Sequence, residues 1–239
     1  MRKFVVLSKN FIVNSIIFTM IFSLSIFAFC GINLHTASVF VDNLYYSGNQ
    51  KSNKITLMVN VYWGTEYIDG FLDIFEKYNI KTTFFVGGMW AEDNPDVLKK
   101  IFSCGHEIAN HGFSHKDHDK LSYQKNCDEI LACHNVVKNI LGIDMNLFAP
   151  PSGAYNKTTV EIAKQLGYKT IMWTEGRDTI DWRDKDSEIV FQRAVKNAKG
   201  GDFVLMHPSL HTKNALEKII TTLQGQGFEI CSVTKNLME

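Results

Sequence analysis

Two histidines stand four apart in the run His111-Gly112-Phe113-Ser114-His115. On a loop, such a pair can turn both ring nitrogens toward one divalent metal. A third imidazole, His207, follows the apolar run Phe203–Met206 and precedes Pro208. A histidine at the mouth of the same cleft suits a general acid, because its proton affinity lies near working pH. Asp178 and Asp181 sit on one further loop, and either could orient that imidazole. Two more stretches hold polar or aromatic residues where strands should end, Asn60-Val61-Tyr62-Trp63-Gly64 and Pro150-Pro151-Ser152-Gly153-Ala154-Tyr155. Trp63, Tyr155 and Trp182 lie on these loops and offer flat faces to a sugar ring; Trp90 and Trp173 are expected in the core.

Chemistry of this kind needs elements that bring distant loops together. From Lys54 onward, short β-rich runs alternate with helical patterns. The runs are Ile55–Val61, Thr82–Val86, His106–Asn110, Leu147–Ala149, Lys169–Trp173, Phe203–Met206 and Phe228–Cys231. Between them, Asn94-Pro95 opens a helix that Gly105 follows, and Ser122 caps one that Gly142 stops. Helices over Lys157–Leu166 and Thr212–Gln224 end at Gly167 and Gly225. Seven strands joined by connections of helix length predict a parallel α/β sheet, and function then collects at the carboxyl ends of the strands. Periodicity leaves an open doubly wound sheet and a barrel equally possible. The first strand is not followed by a GxGxxG turn, which argues against a dinucleotide site. His106, His134 and His211 are expected at surface or helix positions.

The 239 residues carry 25 basic and 25 acidic side chains, with 45% hydrophobic and 21% charged content. That is a folded domain with no net field, which disfavours nucleic acid and other polyanions as partners. Residues 1–35 differ in kind. Arg2, Lys3 and Lys9 precede an apolar run from Phe11 to Ile32, about 22 residues and roughly 33 Å as a helix. It reads as a signal peptide or a single transmembrane anchor with its N-terminus inside, which sends the remainder outside the cytoplasm. Residues 36–53 read as a tether and 54–239 as the exported domain. Cys104, Cys127, Cys133 and Cys231 form no CxxC pair and are expected as free thiols.

With these residues in place a family becomes visible. His111-Gly-Phe-Ser-His115 resembles the metal-binding motif of the polysaccharide deacetylases (NodB homology, carbohydrate esterase family 4). Pro150-Pro151-Ser-Gly153 is similar to their groove wall, Asp178-x-x-Asp181-Trp182 to their fourth motif and Leu205-Met-His207 to their fifth. The resemblance spans about residues 54–235 in family order. It implies a distorted (β/α) barrel of about seven parallel strands that hydrolyses the N-acetyl group of amino sugars in peptidoglycan or chitin-like chains. It also implies a divalent metal, usually zinc, on His111 and His115. His207 would protonate the leaving amine with Asp178 orienting it, and Trp63, Pro151, Gly153, Tyr155 and Trp182 would line the groove.

The departures fall at the catalytic centre. Family members carry Thr-Phe-Asp-Asp-Gly on the first strand, the first Asp being the base and the second a metal ligand. Here Asn60 takes the base position and Val61 the ligand position, while the Arg that serves the base is Ala149. This form resembles a sporulation-associated branch of the family. An amide cannot take a proton from water, and losing a positioned base costs typically about 10²–10⁴-fold. Losing the anionic ligand weakens the metal site as well. His118, Glu66 and Asp69 are the conceivable substitutes. The expectation is therefore an envelope protein that engages cell-wall glycan with hydrolysis reduced or absent, or else a glycan-binding scaffold of sporulation.

Overall fold

The structure is a computed structural model that describes residues 42–238 and six positions between 10 and 20. Most of the expected membrane segment and the first part of the tether lie outside the described residues. The six positions, among them Ser15, Phe18 and Thr19, are helical and exposed. No helix among the described residues is long and apolar enough to cross a membrane.

Eight strands make one curled sheet. They are β1 (Leu44–Tyr45), β2 (Lys54–Val61), β3 (Thr83–Val86), β4 (Glu107–Asn110), β5 (Leu147–Phe148), β6 (Lys169–Ile171), β7 (Phe203–Met206) and β8 (Glu229–Ile230). Their order is β1-β6-β5-β4-β3-β2-β7, with β8 also on β2, and every pairing is parallel. All seven expected strands are present. The two ends of the sheet are stitched by isolated bridges, Ser47 with Asp202 and Asp178 with Leu205. Gly48 N–H donates to the Gly201 carbonyl at 2.8 Å and Thr174 N–H to that of Phe203 at 3.0 Å. These contacts curl the sheet toward a barrel and rule out the open doubly wound alternative.

One expectation needs correction here. Residues 42–53 are not a free tether: β1 pairs with β6, and Asn49 N–H donates to the Asn236 carbonyl at 2.9 Å. Two residues of strand carry too little apolar pattern to be read from sequence.

The connections are α1 (Ile68–Lys77), α2 (Gly88–Asp93), α3 (Pro95–Ser103), α4 (Tyr123–Leu141), α5 (Lys157–Gln165), α6 (Ser187–Val195), α7 (Leu210–Gly225) and α8 (Val233–Leu237). Ser122 and Gly142 act as the expected caps, whereas Gly225 stays inside α7, which Gln226 caps. The Ser122 side chain accepts from Lys125 N–H, and Gly142 closes α4 at φ +73°. Helix α7 starts two residues earlier than expected, because Ser209 supplies the cap by accepting from Thr212 N–H.

Strand alternation sorts the sheet into two faces. Ile55, Leu57, Val59 and Val61 of β2 join the larger core together with helix residues such as Phe71, Leu216 and Ile220. Met58 instead packs with Phe85, Ala109, Leu147, Ala149, Ile171 and Phe203 in the barrel interior. That parity decides which residue at the end of β2 reaches the cleft. The four cysteines beyond residue 41 are free, as expected. His106 is not a surface residue. It is 3% exposed, its Nδ1 accepts from Thr82 N–H at 3.2 Å, and the rings of Phe75 and Phe84 flank it.

Candidate functional site

The carboxyl ends of β2, β4, β5, β6 and β7 open on a cavity of about 380 Å³. It is lined by Asn60, Tyr62, His111, His115, Ser152, Gly153, Trp173, Asp178, Trp182, Leu205 and His207.

His111 leaves β4 directly, with its N–H on the Val86 carbonyl at 3.0 Å. Its Nδ1 lies 2.8 Å from the Ala149 carbonyl. A carbonyl only accepts, so Nδ1 carries the proton and Nε2 presents a lone pair to the cleft. Burial holds the His111 ring well below its ordinary proton affinity, and His115 is lowered by the same cause. The backbone between them is fixed by Glu129 of α4, whose carboxylate accepts from Phe113 N–H at 3.0 Å and Ser114 N–H at 2.7 Å. Burial works against that charge, yet the bonds from Ser114 hold the Glu129 carboxyl below its ordinary range. Nothing in the sequence singles out Glu129, because its role depends on which face of α4 meets the loop.

His115 has left-handed backbone (φ +52°), and its ring lies flat on Tyr62, centroids 3.5 Å apart at 20°. The Tyr62 ring also stands 6.0 Å from His111 and 6.2 Å from His207. Tyr62 is therefore the next interior side chain after Asn60, between the three imidazoles. Val61, given the ligand position by the motif, faces the other way and is fully buried in the sheet–helix core. Asn60 is 4% exposed, with Nδ2 3.4 Å from His111 Nε2 and Oδ1 without a partner.

His207 is oriented by Asp181, which corrects the assignment of Asp178. The Nδ1 of His207 donates to Asp181 Oδ1 at 2.7 Å, and its backbone N–H to Oδ2 at 2.7 Å. Thr212 Oγ1 completes the shell around Oδ2. Asp178 lines the cleft, accepts from Ile180 N–H at 2.8 Å, and is raised by burial above the ordinary carboxylate range.

The expected groove residues divide. Gly153 and Trp182 line the cavity; Gly153, at φ +65°, has no room for a Cβ, which would stand 2.5 Å from the Trp173 ring. Trp173 packs against the interior core, as expected, and also forms a cleft wall. Trp63 packs on His207, centroids 5.2 Å apart, and lines a neighbouring cavity that shares Tyr62 and His115. Pro151 is buried beneath the His111 loop, 3.3 Å from where a Cβ on Gly112 would lie. Tyr155 lies outside the cavity lining, its hydroxyl against that of Tyr46.

The arrangement does not fit a resident metal. The Asn60 amide approaches the His111 lone pair, the next interior position is the neutral Tyr62, and no carboxylate completes the pair. Among the described residues no three His, Cys, Asp or Glu side chains are grouped as a metal would need. The substitutes are occupied elsewhere. Asp69 pairs with Lys100, Glu66 accepts from Thr65 N–H, and His118, whose Nδ1 donates to Asn126 Oδ1, does not line the cavity.

A parallel barrel with paired imidazoles, an Asp-oriented histidine and an aromatic cleft defines a carbohydrate-esterase type of site. Residues 47–171 match the polysaccharide deacetylase family model, and the chain belongs to that family. It is 34% identical over 194 residues to the uncharacterized protein YlxY of Bacillus subtilis, covering 81% of this chain and 60% of the relative's length. It is 33% identical to a peptidoglycan-N-acetylglucosamine deacetylase of Bacillus cereus over 72% of this chain and 82% of that protein. Among solved structures it is similar to BA3943 of Bacillus anthracis, described as a CE4 family pseudoenzyme, at 33% identity and TM-score 0.79 over 82% of this chain and 69% of that one. A mutant of BA3943, at 32% identity and TM-score 0.79 over 82% of this chain and 71% of that one, is described as having restored enzymatic activity.

Proposed function

We propose that this chain is an extracytoplasmic envelope protein whose cleft engages amino-sugar polymers of the peptidoglycan or chitin-like class, with deacetylation reduced or absent. The observation that carries this reading is the Tyr62 ring stacked on His115 beside an amide, Asn60, in the base position. Neither side chain can take a proton from water at neutral pH, and only two imidazoles, His111 and His115, remain for a divalent metal such as zinc. What this chain's own residues can do is bind. Trp173 and Trp182 offer stacking faces, Asn60 and Asp178 offer polar contacts, and Asp181 holds the His207 ring. The residual role of His207 in turnover would be proton donation to a leaving amine.

The class of relatives supports the glycan, since one is a peptidoglycan deacetylase, and the pseudoenzyme BA3943 supports the loss of turnover. Residues 1–35 would deliver the domain to the envelope as an anchor or a cleaved signal. A scaffold role on the wall during sporulation is the corresponding non-catalytic reading, favoured by the same Tyr62–His115 stack.

Acetate release from N-acetylglucosamine oligomers and from peptidoglycan, with zinc or cobalt added, tests the proposal. The expected rate is at least about 10²-fold below that of an active relative such as the Bacillus cereus enzyme. Turnover at the relative's rate, abolished by His111→Ala, would overturn it.

A further inference from the structure

The cleft sets acceptors beside neutral donors, among them the Tyr62 and Ser152 hydroxyls, and holds no cation. His111 and His207 each commit Nδ1–H to an oxygen, that of Ala149 at 2.8 Å and that of Asp181 at 2.7 Å. In the neutral imidazole, Nε2 of each is then an acceptor. The amide of Asn60, 96% buried by its 4% exposure, turns Nδ2 to His111 and leaves Oδ1 with no partner. Asp178 adds a carboxylate, and no lysine or arginine lines the cavity. The nearest guanidinium groups are bound elsewhere: Arg193 to the Thr179 carbonyl and Asp184, Arg183 to Asp184.

An acetamide carbonyl gains most from a charged donor or a Lewis acid, and the lining carries no lysine or arginine. A protonated primary amine needs three acceptors and no donor, and gains from aromatic faces such as Tyr62, Trp173 and Trp182. The Asp178 carboxylate beside those rings favours a cation over a neutral carbonyl oxygen.

We propose that the cleft recognises the free-amine sugar, a glucosamine unit from which the acetyl group has already been removed, in preference to its N-acetylated form. The inference rests on the reading of this cleft as an amino-sugar site. It makes the chain a reader of modified glycan, downstream of an N-deacetylation that must supply its ligand. Burial raises the Asp178 carboxyl, and an adjacent ammonium acts in the opposite sense by favouring its charged form.

The test is calorimetric titration of the full-length chain, freed of metal with EDTA, using a glucosamine tetramer and an N-acetylglucosamine tetramer. The expected result is a preference of at least about tenfold for the free amine. Asp178→Asn narrows the ratio to below about threefold, while Glu76→Gln on the outer face of α1 leaves it unchanged and controls for unspecific attraction of a polycation. Thermal melting of each variant checks that it is folded. Tighter binding of the N-acetylated tetramer, or equal binding, would leave the glycan reading standing and overturn this inference alone. Binding of the N-acetylated tetramer that requires added zinc would overturn it as well. Binding of neither tetramer would remove both.

Discussion

At Asn60 an amide in place of a carboxylate changes what the neighbouring imidazole can do. A carboxylate would draw a proton or a cation toward His111; the amide Nδ2 instead approaches the Nε2 lone pair at 3.4 Å. The adjacent positions then matter through strand parity. Val61→Asp would bury an unpaired carboxylate in the core and should lower stability by on the order of 3–5 kcal/mol, read by urea denaturation. Tyr62→Asp points into the cleft. In an Asn60→Asp background it should raise zinc affinity by at least about tenfold over Asn60→Asp alone, read by calorimetry. Gain at Val61 with none at Tyr62 would contradict the geometry. The imidazoles, the loss of the base and the aromatic loops were legible from residue types. Which of Val61 and Tyr62 faces the cleft was not, because a motif aligned by order carries no information about the face a strand presents at its end.

Among the elements, helix ends were the most readable, since Ser122, Gly142 and Pro95 act locally. Contacts between elements were not. Glu129 of α4 grips the His111–His115 loop, and Asp181 rather than Asp178 grips His207, through distances no spacing rule supplies. His106, at the edge of β4, is the same case and has a measurable consequence. Burial lowers it from 6.5 to about 4. The unfolded chain takes up a proton below pH 6.5 while the folded chain does not until about pH 4. Stability therefore falls as pH drops through that window, by about 1.4 kcal/mol per unit, and levels off beneath it. His111, also lowered by burial, contributes with the same sign. Urea midpoints measured between pH 7 and pH 5 should show this slope, and His106→Gln should make it shallower by about one proton. An unchanged slope would mean that His106 titrates freely in the folded chain.

For the molecule as a whole, seven strands and their parallel sense followed from apolar runs and connection lengths. Barrel curvature did not, because the sheet ends meet through Ser47, Asp202, Asp178 and Leu205, mostly polar loop residues without strand pattern. The same curvature gathers the ends of five strands into one cleft and gives a protein of zero formal charge a local site rich in acceptors. The account turns on whether that cleft can hold a metal. Zinc titration of the untagged full-length chain by calorimetry measures this directly. The predicted result is no stoichiometric binding tighter than about micromolar. One zinc per chain at submicromolar affinity, lost on His111→Ala, would contradict it.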